Sequence, residues 1–202
     1  ERLVAGEIDK LSSELRISDL NIWKIMPFKS GLKLATNEGV YNYFADDDQL
    51  IKSTELDNSD FKLSDNSIVD MLLSDDGSMW LASKTDGAYF VSNNNYSFQN
   101  YNRDTLYGGL SHNNIWSIVE HNKDIWLATS DGITRFNPYS YQSQTYLEGY
   151  LADRLNHEFH VYKMFSFNGK LWLVSTRGLF TFYLETLTIS AVEMPFDTYT
   201  DM

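Results

Sequence analysis

Ile125-Trp126-Leu127-Ala128-Thr129 and, after a short turn, Gly132-Ile133-Thr134-Arg135-Phe136 identify the architecture of this chain, because both elements recur. The Trp-centred element returns as Met79-Trp80-Leu81-Ala82-Ser83 and Leu171-Trp172-Leu173-Val174-Ser175, so its Trp residues are spaced about 46 residues apart. The Gly-led element returns as Gly87-Ala88-Tyr89-Phe90 and Gly178-Leu179-Phe180-Thr181-Phe182. Two linked elements at equal spacing indicate an internal repeat.

A fourth copy of the repeat precedes these three and has a lysine in place of the central Trp. It reads Leu32-Lys33-Leu34-Ala35-Thr36 and then Gly39-Val40-Tyr41-Asn42-Tyr43. Trp80, Trp126 and Trp172 are expected in the core. Lys33 is expected to be less buried, with its ammonium reaching solvent or an acidic neighbour. All four copies also share an upstream element: Ile22-Trp23-Lys24-Ile25, Ile68-Val69-Asp70-Met71, Ile115-Trp116-Ser117-Ile118 and Val161-Tyr162-Lys163-Met164.

Each repeat contains four short strands separated by turn signals. In the third copy the strands are predicted at 114–120, 124–129, 132–137 and 142–147, with the Gly after strand two at positive φ. Four antiparallel strands in about 46 residues form one β-propeller blade, so the predicted fold is all-β with four four-stranded antiparallel blades. The chain 1–202 is interpreted as one propeller segment with these units: blades at about 15–62, 63–109, 110–155 and 156–195, and residues 1–14 as a possible outer strand of a preceding blade.

Composition excludes several classes of function. The formal net charge of −12 opposes binding to nucleic acid or to anionic lipid. The absence of Cys excludes disulfides, thiolate zinc sites and Cys nucleophiles. No apolar run approaches the roughly 18 residues of a membrane span. Because the chain begins at Glu1, it is interpreted as a segment of a longer protein.

The third copy resembles the two-component-regulator propeller repeat, through Leu110-Ser111-His112-Asn113-Asn114-Ile115-Trp116-Ser117-Ile118 and the Trp126 and Gly132 elements. That family reads Leu-Ser/Pro-x-Asn-x-Val-x-Ser-Ile, then Leu-Trp-Ile-Gly-Thr, then Gly-Leu-x-Arg-Phe/Tyr. The first copy departs from this pattern at Lys33, and the fourth has Asn156-His157 in place of the leading Leu-Ser. The resemblance implies the periplasmic sensor of a bacterial transmembrane signalling protein, in a larger propeller of about seven blades. It also implies a following β-sandwich, a membrane segment and a histidine kinase or diguanylate cyclase output.

Candidate ligand-binding residues lie on one rim, where the loop into the innermost strand meets the turn between strands two and three. Their amide, carboxylate, imidazole and guanidinium groups would suit a neutral or anionic polyhydroxylated ligand, such as an oligosaccharide. Turn formation is the competing explanation, because Asn and Asp favour turns. The rim candidates are Asn21, Asn37, Asn66, Asp86, Asn113, Asn114, Asp131, His160 and Arg177.

The innermost strands carry a second candidate set at equivalent positions, namely Lys24, Asp70, Ser117 and Lys163. If these side chains face the central channel, they form a mixed-charge ring that could hold water or a small ion; a purely structural role is the alternative. The preceding aromatic residues, Trp23, Trp116 and Tyr162, could stack on sugar rings, but packing between blades explains them better.

No motif indicates catalysis, a cofactor or a metal. The chain has no Gly-x-Ser-x-Gly elbow, phosphate loop or His-Glu-x-x-His, and a sialidase-like box fails because Leu73 stands where Ser belongs. His157 and His160 beside Glu158 offer one short spacing without a third ligand, so no metal site is expected.

The sequence therefore favours a non-catalytic, ligand-sensing propeller segment whose partners are an unidentified small molecule or oligosaccharide and the other domains of the same protein. A protein-interaction scaffold of the WD-repeat type is the alternative, and a glycosidase-like or lactonase-like propeller enzyme is a more remote one. Four blades leave two open blade faces, so self-association of the chain is also expected.

Overall fold

The computed structural model describes residues 20–29, 31–56, 63, 66–93, 98–105, 109–147 and 160–193. In these ranges the chain forms four antiparallel sheets of four strands each, with neighbouring strands paired in chain order. This architecture confirms the predicted all-β blade fold. The outer strand predicted within residues 1–14 lies outside the described residues. No helix within the described ranges has the length and hydropathy needed to cross a bilayer.

The blades are named 1 to 4 in chain order, and the first strand of each blade is its inner strand. Blade 1 comprises β1 (Ile22–Phe28), β2 (Gly31–Thr36), β3 (Gly39–Phe44) and β4 (Gln49–Lys52), and a 3-10 helix at Thr54–Leu56 follows it. Blade 2 comprises β5 (Ile68–Leu73), β6 (Met79–Ser83), β7 (Ala88–Val91) and β8 (Phe98–Tyr101). Blade 3 comprises β9 (Ile115–His121), β10 (Asp124–Thr129), β11 (Gly132–Asn137) and β12 (Gln142–Tyr146). Blade 4 comprises β13 (Val161–Phe167), β14 (Lys170–Ser175), β15 (Gly178–Tyr183) and β16 (Thr188–Ala191).

The turn between the second and third strands is built in the same way in successive blades. In blade 3 the Thr129 hydroxyl accepts the Asp131 backbone N–H at 3.0 Å and donates to the Gly132 carbonyl at 3.2 Å. The glycine can take the left-handed φ that closes this turn without a Cβ clash. The predicted positive φ is confirmed in all four blades: 99° at Gly39, 84° at Gly87, 95° at Gly132 and 102° at Gly178.

Neighbouring blades stack through the fourth residue of each inner strand. Met71, Ile118 and Met164 are 2%, 3% and 1% exposed, and each belongs to an apolar cluster shared with the preceding blade. Ile25 occupies the same position in blade 1 and is 54% exposed. Blade 1 therefore presents an uncovered stacking face within the described structure.

The opposite face of each blade is centred on the repeat Trp. Trp80 and Trp126 are 2% and 3% exposed, and each packs against the following blade. Trp172 was expected in the core and is only partly buried. It pairs with Phe165, which is 51% exposed, on the face of blade 4 that no described blade covers. The expectation for Trp172 is wrong because its burial depends on a neighbour.

Lys33 is more buried than the sequence predicts. It is 3% exposed, as buried as Trp126, so the expectation of a less buried side chain is wrong. Its ammonium donates to Asn42 Oδ1 at 2.6 Å and to Ser53 Oγ at 3.4 Å, and it lies 4.5 Å from the centre of the Phe28 ring. Polar partners and an aromatic face let a lysine occupy a Trp position between blades 1 and 2.

Candidate functional site

Every inner strand carries a β-bulge at its second residue. The register with the neighbouring strand shifts between Ile22 and Lys24 in blade 1, and at the same position in the three other blades. A bulge leaves one residue unpaired and redirects its side chain. The bulged residues are Trp23, Val69, Trp116 and Tyr162.

The four bulged side chains line one pocket of about 260 Å³, together with Lys84 and Lys163. Trp23 is 40% exposed and Tyr162 is 46% exposed. The expected packing between blades is present for Trp116 and Tyr162, whose rings meet across a blade boundary, but Trp23 and Tyr162 also keep a large accessible surface. These rings are the bulged residues of their strands, and both line the pocket.

The aromatic wall of the pocket is fixed by specific contacts. The Trp116 and Tyr162 rings lie 5.9 Å apart and nearly perpendicular, at 88°, across the boundary between blades 3 and 4. Trp116 Nε1 donates to Ser130 Oγ at 3.1 Å, which holds the indole in place. The centre of the His160 ring lies 6.3 Å from that of Trp116. The perpendicular Trp116 and Tyr162 rings therefore form a corner in the wall of the pocket.

Beneath this pocket the four predicted channel residues meet around a single buried carboxylate. Asp70 is 1% exposed. Lys163 Nζ lies 2.9 Å from Asp70 Oδ2, Lys24 Nζ lies 3.5 Å from Oδ1, and the Ser117 hydroxyl donates to Oδ2 at 2.8 Å. The third residue of each inner strand thus contributes one side chain, and the cluster connects all four blades.

Backbone groups complete the hydrogen bonds of this cluster. The Ile118 N–H donates to Asp70 Oδ2 at 3.1 Å and the Met71 N–H donates to Oδ1 at 3.0 Å. Ser117 Oγ accepts the Met164 N–H at 3.1 Å. A buried carboxylate is stable only with such partners. The contacts favour a structural role in joining the inner strands of all four blades.

Two pocket residues were missed by the sequence analysis. Lys84 lies in the turn after β6 and was passed over in favour of Asp86 in the same turn. Val69 occupies the position that is aromatic in the three other blades, and an aliphatic side chain does not by itself indicate a ligand site. Its alignment with Trp23 was the available clue.

Several predicted rim residues are engaged in turns. Asn37 Oδ1 accepts the Asn21 N–H at 2.7 Å, and the Asn37 N–H donates to the Asn21 carbonyl at 3.2 Å. The backbone N–H groups of Asp131 and Arg177 donate to the hydroxyl that ends the preceding strand, at 3.0 and 3.1 Å. These contacts give the four residues a place in the local structure of the rim, and their role in ligand binding stays a prediction.

Blade 2 and blade 3 rim residues form a second set of local contacts. The Tyr89 hydroxyl donates to the Asp86 carboxylate and receives a 3.5 Å bond from Asn66 Nδ2. Burial, and then the bond to Asp86, raises the pKa of Tyr89 well above its ordinary value. Asn113 links two blades, because its Oδ1 accepts the Arg103 N–H and its carbonyl accepts the Gly87 N–H, both at 2.7 Å.

Asn114 and His160 are the rim candidates nearest in sequence to the aromatic wall. The Oδ1 atom of Asn114 is buried and has no hydrogen-bond partner among the described residues. His160 contacts Trp116, and its backbone pairs with Thr176 across the end of the blade. Across the described ranges no three acidic or imidazole side chains converge as a metal site would require. His157 and Glu158 lie outside the described residues.

Comparison with known protein families finds a match for one copy of the repeat. Residues 109–131 match the model of the family described as two component regulator propeller. This match confirms the resemblance predicted from the third copy of the repeat. None of the curated proteins compared with the chain matches it.

Solved structures with the same fold include two extracellular domains from B. thetaiotaomicron. The extracellular domain described as part of the hybrid two-component system BT4673 superposes with a TM-score of 0.67 at 17% identity, over 84% of this chain and 22% of that domain. The corresponding domain of system BT3049 gives 0.68 at 18% identity, over 86% of this chain and 25% of that domain. This chain therefore spans about a quarter of each of these domains.

An enzyme shares the fold as well. A streptogramin B lyase superposes with a TM-score of 0.60 at 13% identity, over 86% of this chain and 55% of the lyase. At these identities the likeness establishes the fold alone. The choice between sensor and enzyme therefore depends on the residues of the pocket.

Proposed function

We propose that this chain, which carries a two-component-regulator propeller repeat at residues 109–131, is a ligand-sensing and non-catalytic part of a bacterial transmembrane sensor. The pocket lined by Trp23, Trp116 and Tyr162 is the observation that carries the proposal. Two solved structures that share the fold are extracellular domains of hybrid two-component systems. Their location supports an extracytoplasmic, periplasmic location for this chain. A histidine kinase or diguanylate cyclase would read out binding elsewhere in the parent protein.

The ligand class follows from the surfaces that the pocket offers. Aromatic faces stack on the C–H faces of sugar rings, while nearby amide and hydroxyl groups accept or donate hydrogen bonds. The Tyr162 hydroxyl and the ammonium groups of Lys84 and Lys163 line the same pocket and can form hydrogen bonds with ligand hydroxyls. A small polyhydroxylated molecule, or the end of an oligosaccharide, fits this combination.

A signal would leave the pocket through Lys163. This residue lines the pocket and also pairs with Asp70 at 2.9 Å. Asp70 in turn accepts from Ser117 and Ile118 of blade 3 and pairs with Lys24 of blade 1. A ligand that shifts Lys163 would alter the contacts that join all four inner strands, which gives ligand binding a route to blade packing.

Binding to the pocket is tested by titrating the chain with neutral and acidic di- and trisaccharides while tryptophan fluorescence is recorded. Trp23 and Trp116 both line the pocket, so bound sugar is expected to change their emission. For any sugar that binds, Trp23→Ala is expected to weaken the affinity by about tenfold or more, since aromatic anchors dominate binding energy.

The matched control is Tyr139→Ala, which removes a ring that is 75% exposed in the turn between β11 and β12. This variant is expected to bind like the unaltered chain. Equal affinity in the Trp23 variant would place the ligand elsewhere and contradict the proposal.

The exposed apolar faces of blades 1 and 4 bear on the partners of this chain. A scaffold of the WD-repeat type would also use exposed apolar surface. However, Ile25 and Phe165 lie at stacking positions, where the equivalent residues of other blades are covered by a neighbouring blade. We therefore infer that further propeller blades cover these faces, supplied by the parent protein or, for the isolated chain, by a second copy.

Self-association of the isolated chain is expected at micromolar concentration, with the blade 4 face of one copy on the blade 1 face of another. Replacing both Phe165 and Phe167, which are 51% and 60% exposed, by Ser should shift the population towards monomer. Light scattering measures the mass, and Tyr139→Ser serves as the control for loss of an exposed ring. A monomeric unaltered chain would contradict this expectation.

A further inference from the structure

We infer that the pocket selects an acidic sugar, a single pyranose ring that bears a carboxylate or a similar anionic group, over its neutral counterpart. The inference rests on the proposed ligand-binding function and specifies the charge and size of the ligand. It depends on three features of the pocket: the sign of its charged residues, the arrangement of its rings, and its volume.

The charged side chains that line the pocket are both basic. Lys84 and Lys163 contribute ammonium groups, and no described acidic residue lines it. The nearest acidic side chain beneath is Asp70, which is 1% exposed and already shared between Lys163 and Lys24. Within the described part of the chain, Lys84 forms no ion pair and is exposed. The chain carries a net charge of −12, so a pocket whose two charged lining residues are both basic differs in sign from the protein as a whole and favours an anion.

The rings distinguish a sugar acid from a flat aromatic acid. Trp116 and Tyr162 are nearly perpendicular, at 88°, so this pair cannot sandwich a flat ring between parallel faces. One ring face and one ring edge instead match the C–H face and rim of a pyranose chair.

The volume limits the size of the bound group. The pocket of about 260 Å³ is slightly smaller than the roughly 300–1,000 Å³ that accommodates drug-sized ligands. One sugar ring fits, so a longer chain would place only its terminal ring here. Lys84, in the turn at the rim, is positioned to meet the anionic group of that ring.

The test uses matched pairs of sugars that differ only in the acid group. Digalacturonate and cellobiouronate are each compared with the same disaccharide after reduction of its carboxylates to hydroxymethyl groups, and sodium benzoate serves as the aromatic acid. Calorimetry or tryptophan fluorescence gives the affinities. The acid member of a binding pair is expected to bind about tenfold or more tightly, as a charge-assisted hydrogen bond implies.

Lys84→Gln is expected to remove most of this preference, because it weakens binding of the acid member more than binding of the neutral member. Lys123→Gln, which removes an exposed lysine in the turn between β9 and β10, is the control for the change in net charge and should keep the preference. The Lys84 variant is chosen over a Lys163 variant because Lys163 also pairs with Asp70.

Each outcome is decisive. Equal affinities for acid and neutral members would overturn the acidic preference and leave the sugar-binding proposal in place. Tighter binding of benzoate than of any sugar acid would overturn the assignment to a sugar. Absence of binding by every pair would overturn both this inference and the proposed function.

Discussion

Replacing Asp70 by Ala is expected to lower the free energy of unfolding by about 3–5 kcal/mol, the cost of breaking a buried charge pair on one side. The carboxylate is 1% exposed and accepts hydrogen bonds from the Ser117 hydroxyl and the Ile118 and Met71 N–H groups. Its removal leaves these buried donors without an acceptor, and each such loss costs about 1–3 kcal/mol.

Asp70→Asn removes the negative charge of the side chain while keeping nearly the same size and shape. Both carboxylate oxygens accept hydrogen bonds, so an amide of the same size must point its NH₂ group at other donors. This variant is therefore also expected to be destabilised. Asp104→Ala, at an exposed turn position, should change stability by less than about 0.5 kcal/mol.

Urea denaturation of the three variants measures these differences. If Asp70→Ala unfolded at the same urea concentration as the unaltered chain, the four inner strands would not depend on this cluster. The route from the pocket to blade packing proposed above would then lose its basis.

Trp126→Ala is expected to cost about 3–5 kcal/mol, the usual effect of emptying a large aromatic site in a core. Trp126 is 3% exposed, stacks on Tyr146 at 5.5 Å and meets Phe182 of blade 4 edge-on at 6.1 Å. The substitution therefore removes contacts both within blade 3 and between blades 3 and 4. The cavity would lie in the stacking interface, where the backbone of two sheets limits collapse.

Trp172→Ala is the matched control, because the residue occupies the same position of the repeat but is only partly buried. Its expected cost is clearly smaller, since less apolar surface returns to water. Chemical denaturation compares the two variants. A loss below about 1 kcal/mol for Trp126→Ala, or equal losses for both, would contradict the blade packing described here.

Spacing within the repeat was sufficient to predict the internal structure of a blade. The strands predicted in the third copy end within one residue of those observed at β9 to β12. The glycine after each second strand takes the predicted positive φ. Local turn chemistry and alternation of side chains act over a few residues, and equal spacing transfers them from one copy to the next. For the same reason, residues at equivalent positions of two inner strands, such as Asp70 and Ser117, could be expected to lie close together.

The repeat pattern does not predict the contacts between blades. Lys33 is buried and Trp172 is partly exposed because burial at this position depends on the neighbouring blade, not on the residue's own copy of the repeat. The bulges at Trp23 and Tyr162 add one unpaired residue to the inner strand, and the same residue is added in every copy, so the spacing between copies does not reveal them. The repeat thus establishes where each strand lies, while the packing of one blade on the next establishes which side chains remain free to bind a ligand.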